Sequence, residues 1–191
     1  MAKLFVFDTE TTGLNFWQHG IHQLAGCIEI DGEVKEYFEF NIQPHPATKI
    51  DEEALSISGI ITADLVLYES QKSVYSKLIE IMSKYVDRYN KLDKFFLVGY
   101  NNASFDNPFF RAFFKQCGDI YFGSWFWSSP IDVFILASQY LMNERHLMEN
   151  FQQGTVAKYL GIEVDNTQLH TAVYDVEILL QIYKKVTNKL D

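Results

Sequence analysis

A mixed α/β fold is what this sequence predicts, and three observations carry the prediction. Three extended apolar stretches open the chain before any helical pattern begins. Later segments alternate between short apolar runs and amphipathic stretches whose apolar residues recur three or four apart. Leading strands followed by alternating helices and strands make a mixed sheet with helices packed on its faces.

The first strand is the run Leu4, Phe5, Val6, Phe7, which ends abruptly in acid. Residues 21–30 and 34–42 are the next two strands, joined by Asp31-Gly32, a dipeptide that favours a tight hairpin turn. Pro44 and Pro46 break the pattern, and residues 51–56 form a short helical turn before Gly59. Between residues 70 and 90, Val74, Leu78, Ile81, Tyr85 and Tyr89 recur at helical steps, which predicts the longest helix of the chain. Residues 95–100 are a second apolar run followed by polar residues, Asn101, Asn102 and then Asp106. The next helix has Asp106 as its N-cap, Pro108 in its first turn and Phe109, Phe110, Phe113 and Phe114 as its inner stripe. Residues 125–127 read as a further strand. Ser129-Pro130 then starts a helix with Asp132 in its first turn and Ile131, Phe134, Ser138 and Leu141 inward. A small helix over 155–160 stops at Gly161, and the last spans 171–186 with Val173, Val176, Leu180 and Tyr183 inward.

The 191 residues suit a single domain, residues 1–191, and 48% hydrophobic with 16% aromatic content suffices for a packed core. No apolar run is long enough to span a bilayer, and the first residues lack the pattern of a secretory signal, so a cytoplasmic protein is expected. Cys27 and Cys117 stand far apart, without metal-binding spacing, and suit a reducing compartment as buried thiols. The net charge of −9 argues against broad, non-specific binding of polyanions. Bound divalent cations would change that locally, because they turn a cluster of carboxylates attractive to phosphate.

Such a cluster is readable in the spacing. Asp8 and Glu10 lie one residue apart at a strand end, so both side chains point to the same side, roughly 6.6 Å apart along the strand. Asp106 precedes the Phe-rich helix and Asp175 lies in the last helix, with His170 five residues before it. Each residue alone has an ordinary structural reading, as a solvated strand end, a helix cap, an exposed helical acid or a loop histidine. Their joint occurrence is the signal. His19, His22 and His45 have no second ligand at recognisable spacing.

The complete pattern resembles the DEDD superfamily of 3′-to-5′ exonucleases, which includes proofreading subunits, ribonuclease T and oligoribonuclease. The resemblance rests on Asp8-Thr9-Glu10-Thr11-Thr12-Gly13-Leu14, on the segment from Asn102 through Asp106 to Phe110, and on His170-Thr171-Ala172-Val173-Tyr174-Asp175. A histidine five residues before the last aspartate marks the DEDDh branch. The tyrosine branch would place Tyr where Thr171 stands. The chain departs from the family at Asn101, where relatives often have histidine, and at Gln23, where an acid is common.

The resemblance implies a ribonuclease H-like fold with about five strands. It implies two divalent cations, Mg²⁺ or Mn²⁺, held by Asp8, Glu10, Asp106 and Asp175, with Asp8 bridging. His170 would be the general base, neutral when it takes the proton, so activity should rise with pH through its ionisation. Thr11, Gly13 and Leu14 would meet the terminal nucleotide, and Phe16 with Trp17 would offer a stacking face. The implied activity is release of nucleoside 5′-monophosphates from single-stranded 3′ ends, DNA rather than RNA. An exoribonuclease of RNA ends or short oligonucleotides is the alternative, and a catalytically silent adaptor is the reading from another class. A polymerase partner or a homodimer would be the assembly.

Overall fold

The computed structural model describes residues 2–165 and 172–187. Three strands, β1 (Lys3–Thr11), β2 (Ile21–Ile30) and β3 (Glu33–Gln43), form an antiparallel meander. At its second turn Asp31 and Gly32 have φ of 51° and 86°, the positive values that a mirror-image hairpin turn demands. The chain continues through α1 (Glu52–Ile57), β4 (Glu69–Ser70), α2 (Gln71–Ser83), β5 (Phe96–Gly99) and α3 (Asp106–Gln116). It then forms β6 (Ile131–Asp132), α4 (Val133–Tyr140), α5 (Gln153–Tyr159) and α6 (Ala172–Thr187).

The described strands make one sheet in the order β4-β3-β2-β1-β5-β6. It has six strands where about five were expected, because two segments of two residues each join its edges. β5 pairs with β1 in parallel and β6 with β5 in parallel, so all three strands end at one edge of the sheet. In open α/β sheets that edge is where ligands bind.

Strand alternation sorts the core into two layers. Phe5 and Phe7 enter one with α2 and α3, while Leu4 and Val6 enter the other with α4, α5 and α6. The first layer is built from packed phenylalanines: the Phe110 ring stacks on Phe5 at 5.5 Å and meets Phe122 edge-on at 5.6 Å. The aromatic stripe of α3 is therefore core, as its spacing predicts. Among the described residues no helix is long and apolar enough to cross a membrane.

Four expectations need correction. α2 ends at Ser83 rather than near residue 90, and α6 is longer. The buried stripe of α2 includes Val74, Leu78 and Met82, one position round from Ile81, and Tyr89 is exposed. Beyond Ser83, Asp87 and Asn90 take the backbone N–H groups of Tyr89 and Leu92, a local competition that unwinds the helix. Residues 125–127 form no strand: Phe126 makes one isolated bridge with Phe95, and Trp125 and Phe126 are buried in the aromatic layer. Ser129-Pro130 does not start a helix. Ile131 and Asp132 extend the sheet, Asp132 caps α4 by accepting from the Phe134 N–H, and Val133, Ala137 and Leu141 point inward. Finally, α3 starts at Asp106 itself, with Phe105 in the cap position and no capping side-chain bond there. Cys27 is buried and Cys117 half-buried.

Candidate active site

The alternation that builds two layers also divides the acidic end of β1. Asp8 and Glu10 continue the side that carries Val6, and Thr9 continues the side that carries Phe7. Parallel pairing of Val6 with Val98 brings the residues that follow β5, Tyr100 and Asn101, beside them. At this edge lies a pocket of about 470 Å³ lined by Asp8, Glu10, Asp106 and Asp175. The four carboxylates expected to act together are thus brought to one cavity, from β1, from the start of α3 and from the first turn of α6.

Three of the four residues are tied to a specific neighbour. Asp106, only 4% exposed, accepts a hydrogen bond of 2.6 Å from the Thr9 hydroxyl. Glu10 accepts one of 2.8 Å from Ser58, the residue that ends α1. The Asp175 carbonyl accepts from the Gln153 amide at 2.7 Å, which ties α6 to the start of α5. Asp132 acts at a distance: its carboxylate accepts from the N–H groups of Asn101 (2.9 Å) and Ala103 (3.2 Å) and from that of Phe134. This clamp holds the turn between β5 and α3, where Asn101 adopts a left-handed φ of 61°.

The clustering is electrostatically costly without counter-charge. The Asp8 carboxyl is pushed well above the usual range, first by withdrawal from water and then by the charges of Asp106, Glu10 and Asp175. Asp106 is raised to about 6, mainly by burial, with the Thr9 hydrogen bond pulling the other way. Cations answer both effects. Among the described residues no three acidic, histidine or cysteine side chains already close a cage around an ion. An ion here would complete its shell with water or substrate oxygens, the habit of Mg²⁺.

The loop after β1 is fixed from within. Thr11 donates to the Gly13 carbonyl (2.9 Å), the Thr12 N–H donates to the Gly20 carbonyl (2.8 Å), and the Thr12 hydroxyl donates to the Lys49 carbonyl (2.7 Å). Gly13 has φ of 152°, and a Cβ there would meet the His19 ring at 2.5 Å. Thr11, Gly13 and Leu14 do not line the carboxylate pocket; Leu14 stands 81% exposed beside it in sequence, and Phe16 lines a second cavity. His170 and Thr171 lie outside the described residues.

Reading the sequence missed Ser58, Tyr100, Asn101 as a wall, and the α5 residues Gln153, Thr155 and Lys158 that line the pocket. None carries a signal of its own. Their role follows only from where α1 and α5 pack.

A family model described as exonuclease matches residues 5–183. Among curated relatives, the DNA polymerase III PolC-type protein of Bacillus cereus is 29% identical over 188 residues, covering 96% of this chain and 12% of that protein. The DNA polymerase III subunit epsilon of Pasteurella multocida is 26% identical, covering 97% of this chain and 68% of that one. Ribonuclease T of a Shewanella species is 24% identical, at 96% and 81%. Among solved structures, E. coli exonuclease I in complex with a dT13 oligonucleotide superposes with a TM-score of 0.76 at 20% identity, covering 97% of this chain and 41% of that one. A zinc-bound form of the same enzyme with single-stranded DNA gives 0.78 at 20% identity, covering 100% and 41%. The chain therefore spans a small part of the PolC-type relatives and less than half of exonuclease I.

Proposed function

The chain belongs to the exonuclease family whose model spans residues 5–183, and from that premise we propose that it is a metal-dependent 3′-to-5′ exonuclease releasing nucleoside 5′-monophosphates from single-stranded ends. The observation that carries this reading is the convergence of Asp8, Glu10, Asp106 and Asp175 on one pocket. Residues 1–191 act in this reading as one exonuclease unit.

Mg²⁺ or Mn²⁺, two ions held by these four carboxylates, would supply the Lewis acidity that activates a water and takes up charge on the leaving 3′ oxygen. The donor set fits: it is all-oxygen and anionic, and two of its members, Asp8 and Asp106, are raised in pKa first by burial and then by neighbouring charge, both of which cations offset. Asp8, which feels all three other carboxylates, would be the member shared by both ions, as the resemblance implies. Thr9 keeps the Asp106 carboxylate turned toward the pocket, and Ser58 does the same for Glu10. By the resemblance of the segment from His170 to Asp175, His170 would be the base and the chain would fall in the DEDDh branch.

DNA is favoured as substrate by two relatives that are DNA polymerase III proteins and by exonuclease I in complex with dT13. The same polymerase relatives favour a polymerase partner. Ribonuclease T among the relatives supports RNA ends as the second reading. The test is hydrolysis of matched single-stranded DNA, single-stranded RNA and a duplex with a recessed 3′ end, each labelled at the 5′ end, with Mg²⁺ or Mn²⁺. A ladder shortening from the 3′ end of DNA and lost in Asp8→Ala is expected. Full hydrolysis by Asp8→Ala would sink the role of the motif, and a ladder on RNA alone would transfer the substrate. Binding of metal and strand without cleavage would favour an adaptor.

A further inference from the structure

A second cavity, about 850 Å³, opens on the other side of the Phe105–Asp106 turn, between the loop after β1 and the outer face of α3. Its lining is unlike the rest of the molecule. In a chain with 25 acidic and 16 basic residues, no carboxylate lines it. Arg111 and Lys115 do, one helical turn apart and both exposed. Neither enters an ion pair with any described residue. Arg111 is steadied instead by the Phe122 ring, 4.5 Å below its guanidinium carbon, which leaves its N–H edges open.

The two cavities are joined by a row of rings. Phe105 lines the carboxylate pocket; its ring lies 5.1 Å from Phe109, Phe109 lies 6.3 Å from Phe16, and Phe16 lies 4.7 Å from Trp17. Trp17 ends the row in the second cavity, 80% exposed. An indole that remains in water beside a pair of unneutralised cations has the two features by which single strands are held without reading sequence, a stacking face and phosphate contacts. An acidic peptide would use the cations but would gain little from the flat ring.

We propose that this groove holds the nucleotides upstream of the scissile end, with Trp17 stacking a base and Arg111 and Lys115 meeting phosphates. The proposal rests on the exonuclease reading for the direction of the strand. It explains how a chain of net charge −9 takes a polyanion: the groove is lined by Arg111 and Lys115 and by no carboxylate.

The experiment compares binding of 5′-fluorescein dT3 and dT12 in EDTA, by anisotropy, for the full chain and for Trp17→Ala and Arg111→Ala/Lys115→Ala. In the parent, dT12 binds at least 10-fold tighter than dT3. Each variant reduces that ratio at least 5-fold, and the double variant flattens the salt dependence of dT12 by about one to two ions. Circular dichroism controls for folding, and the exposed Trp17→Ala and charge-reversing Lys115→Glu supply independent variants. An unchanged ratio overturns the proposal, as does displacement of dT12 by an equal concentration of a twelve-residue polyglutamate. Because cleavage is not measured, failure of the exonuclease reading would appear only in the hydrolysis assay above.

Discussion

The Thr9 hydroxyl donates to the Asp106 carboxylate across 2.6 Å, joining the first strand to the start of α3 through two buried groups. The residue between the two acids of β1 thus orients the acid that begins α3. Thr9→Val keeps the shape and removes the donor, leaving a buried carboxylate short of a partner. The expected cost is about 1–3 kcal/mol of stability, read by thermal melting, with a weaker response to Mg²⁺ in hydrolysis. A variant with parental Mg²⁺ response would show that the bond serves packing alone.

Metal should stabilise the protein in a pH-dependent way. Asp8 and Asp106 have folded pKa values raised above the ordinary 3.8, Asp106 to about 6. The stability tied to them is complete below about 3.8 and is lost as pH rises through the folded values, because ionisation then costs more in the folded state. Cations relieve the repulsion only when the carboxylates are charged. In EDTA against Mg²⁺, the rise in Tm on adding metal should be larger at pH 7 than at pH 5. Equal rises at both would rule out these carboxylates as the ligands.

His22 runs the opposite way in the same window. Burial, at 2% exposure, pushes it down from 6.5 to about 4. Its contribution is complete above 6.5 and is lost as pH falls toward 4, up to about 3 kcal/mol. His22→Asn should therefore lose less stability than the parent between pH 7 and pH 4.5, measured by urea unfolding in EDTA. Parallel losses would mean that His22 does not titrate differently on unfolding.

Ser58 donates to Glu10 at 2.8 Å from the end of α1. Groups that orient ligands in this manner are worth about 10-fold or more in metal affinity or activity. Ser58→Ala should raise the Mg²⁺ concentration for half-maximal hydrolysis about 10-fold while leaving the melting temperature near the parent's. An unchanged Mg²⁺ curve would count against it.

The acids of the pocket were legible because spacing survives in one dimension: Asp8 and Glu10 share a strand face, and Asp106 and Asp175 sit at helix starts. Ser58 and Gln153 were not, since a serine at the end of a six-residue helix and a glutamine at the start of another acquire meaning only through packing. Asp132 was read as a helix-start acid, and it does cap α4, one turn later than its Ser-Pro neighbours suggested. What no pattern revealed is its grip on Asn101 and Ala103, bonds that cross about thirty residues of chain. α2 was overrun for a related reason: Tyr85 and Tyr89 keep the helical period, but Asp87 and Asn90 spend their side chains on the backbone instead.

Three carboxylates of the pocket come from β1 and α3, and the fourth comes from α6, on the opposite layer of the core. During synthesis on the ribosome, Asp175 is the last of the four to be translated, and its helix packs on α4 and α5 as well as on β1 and β2. The proposed nuclease is therefore assembled late: a growing chain holds an incomplete set of ligands until both layers have closed over the sheet.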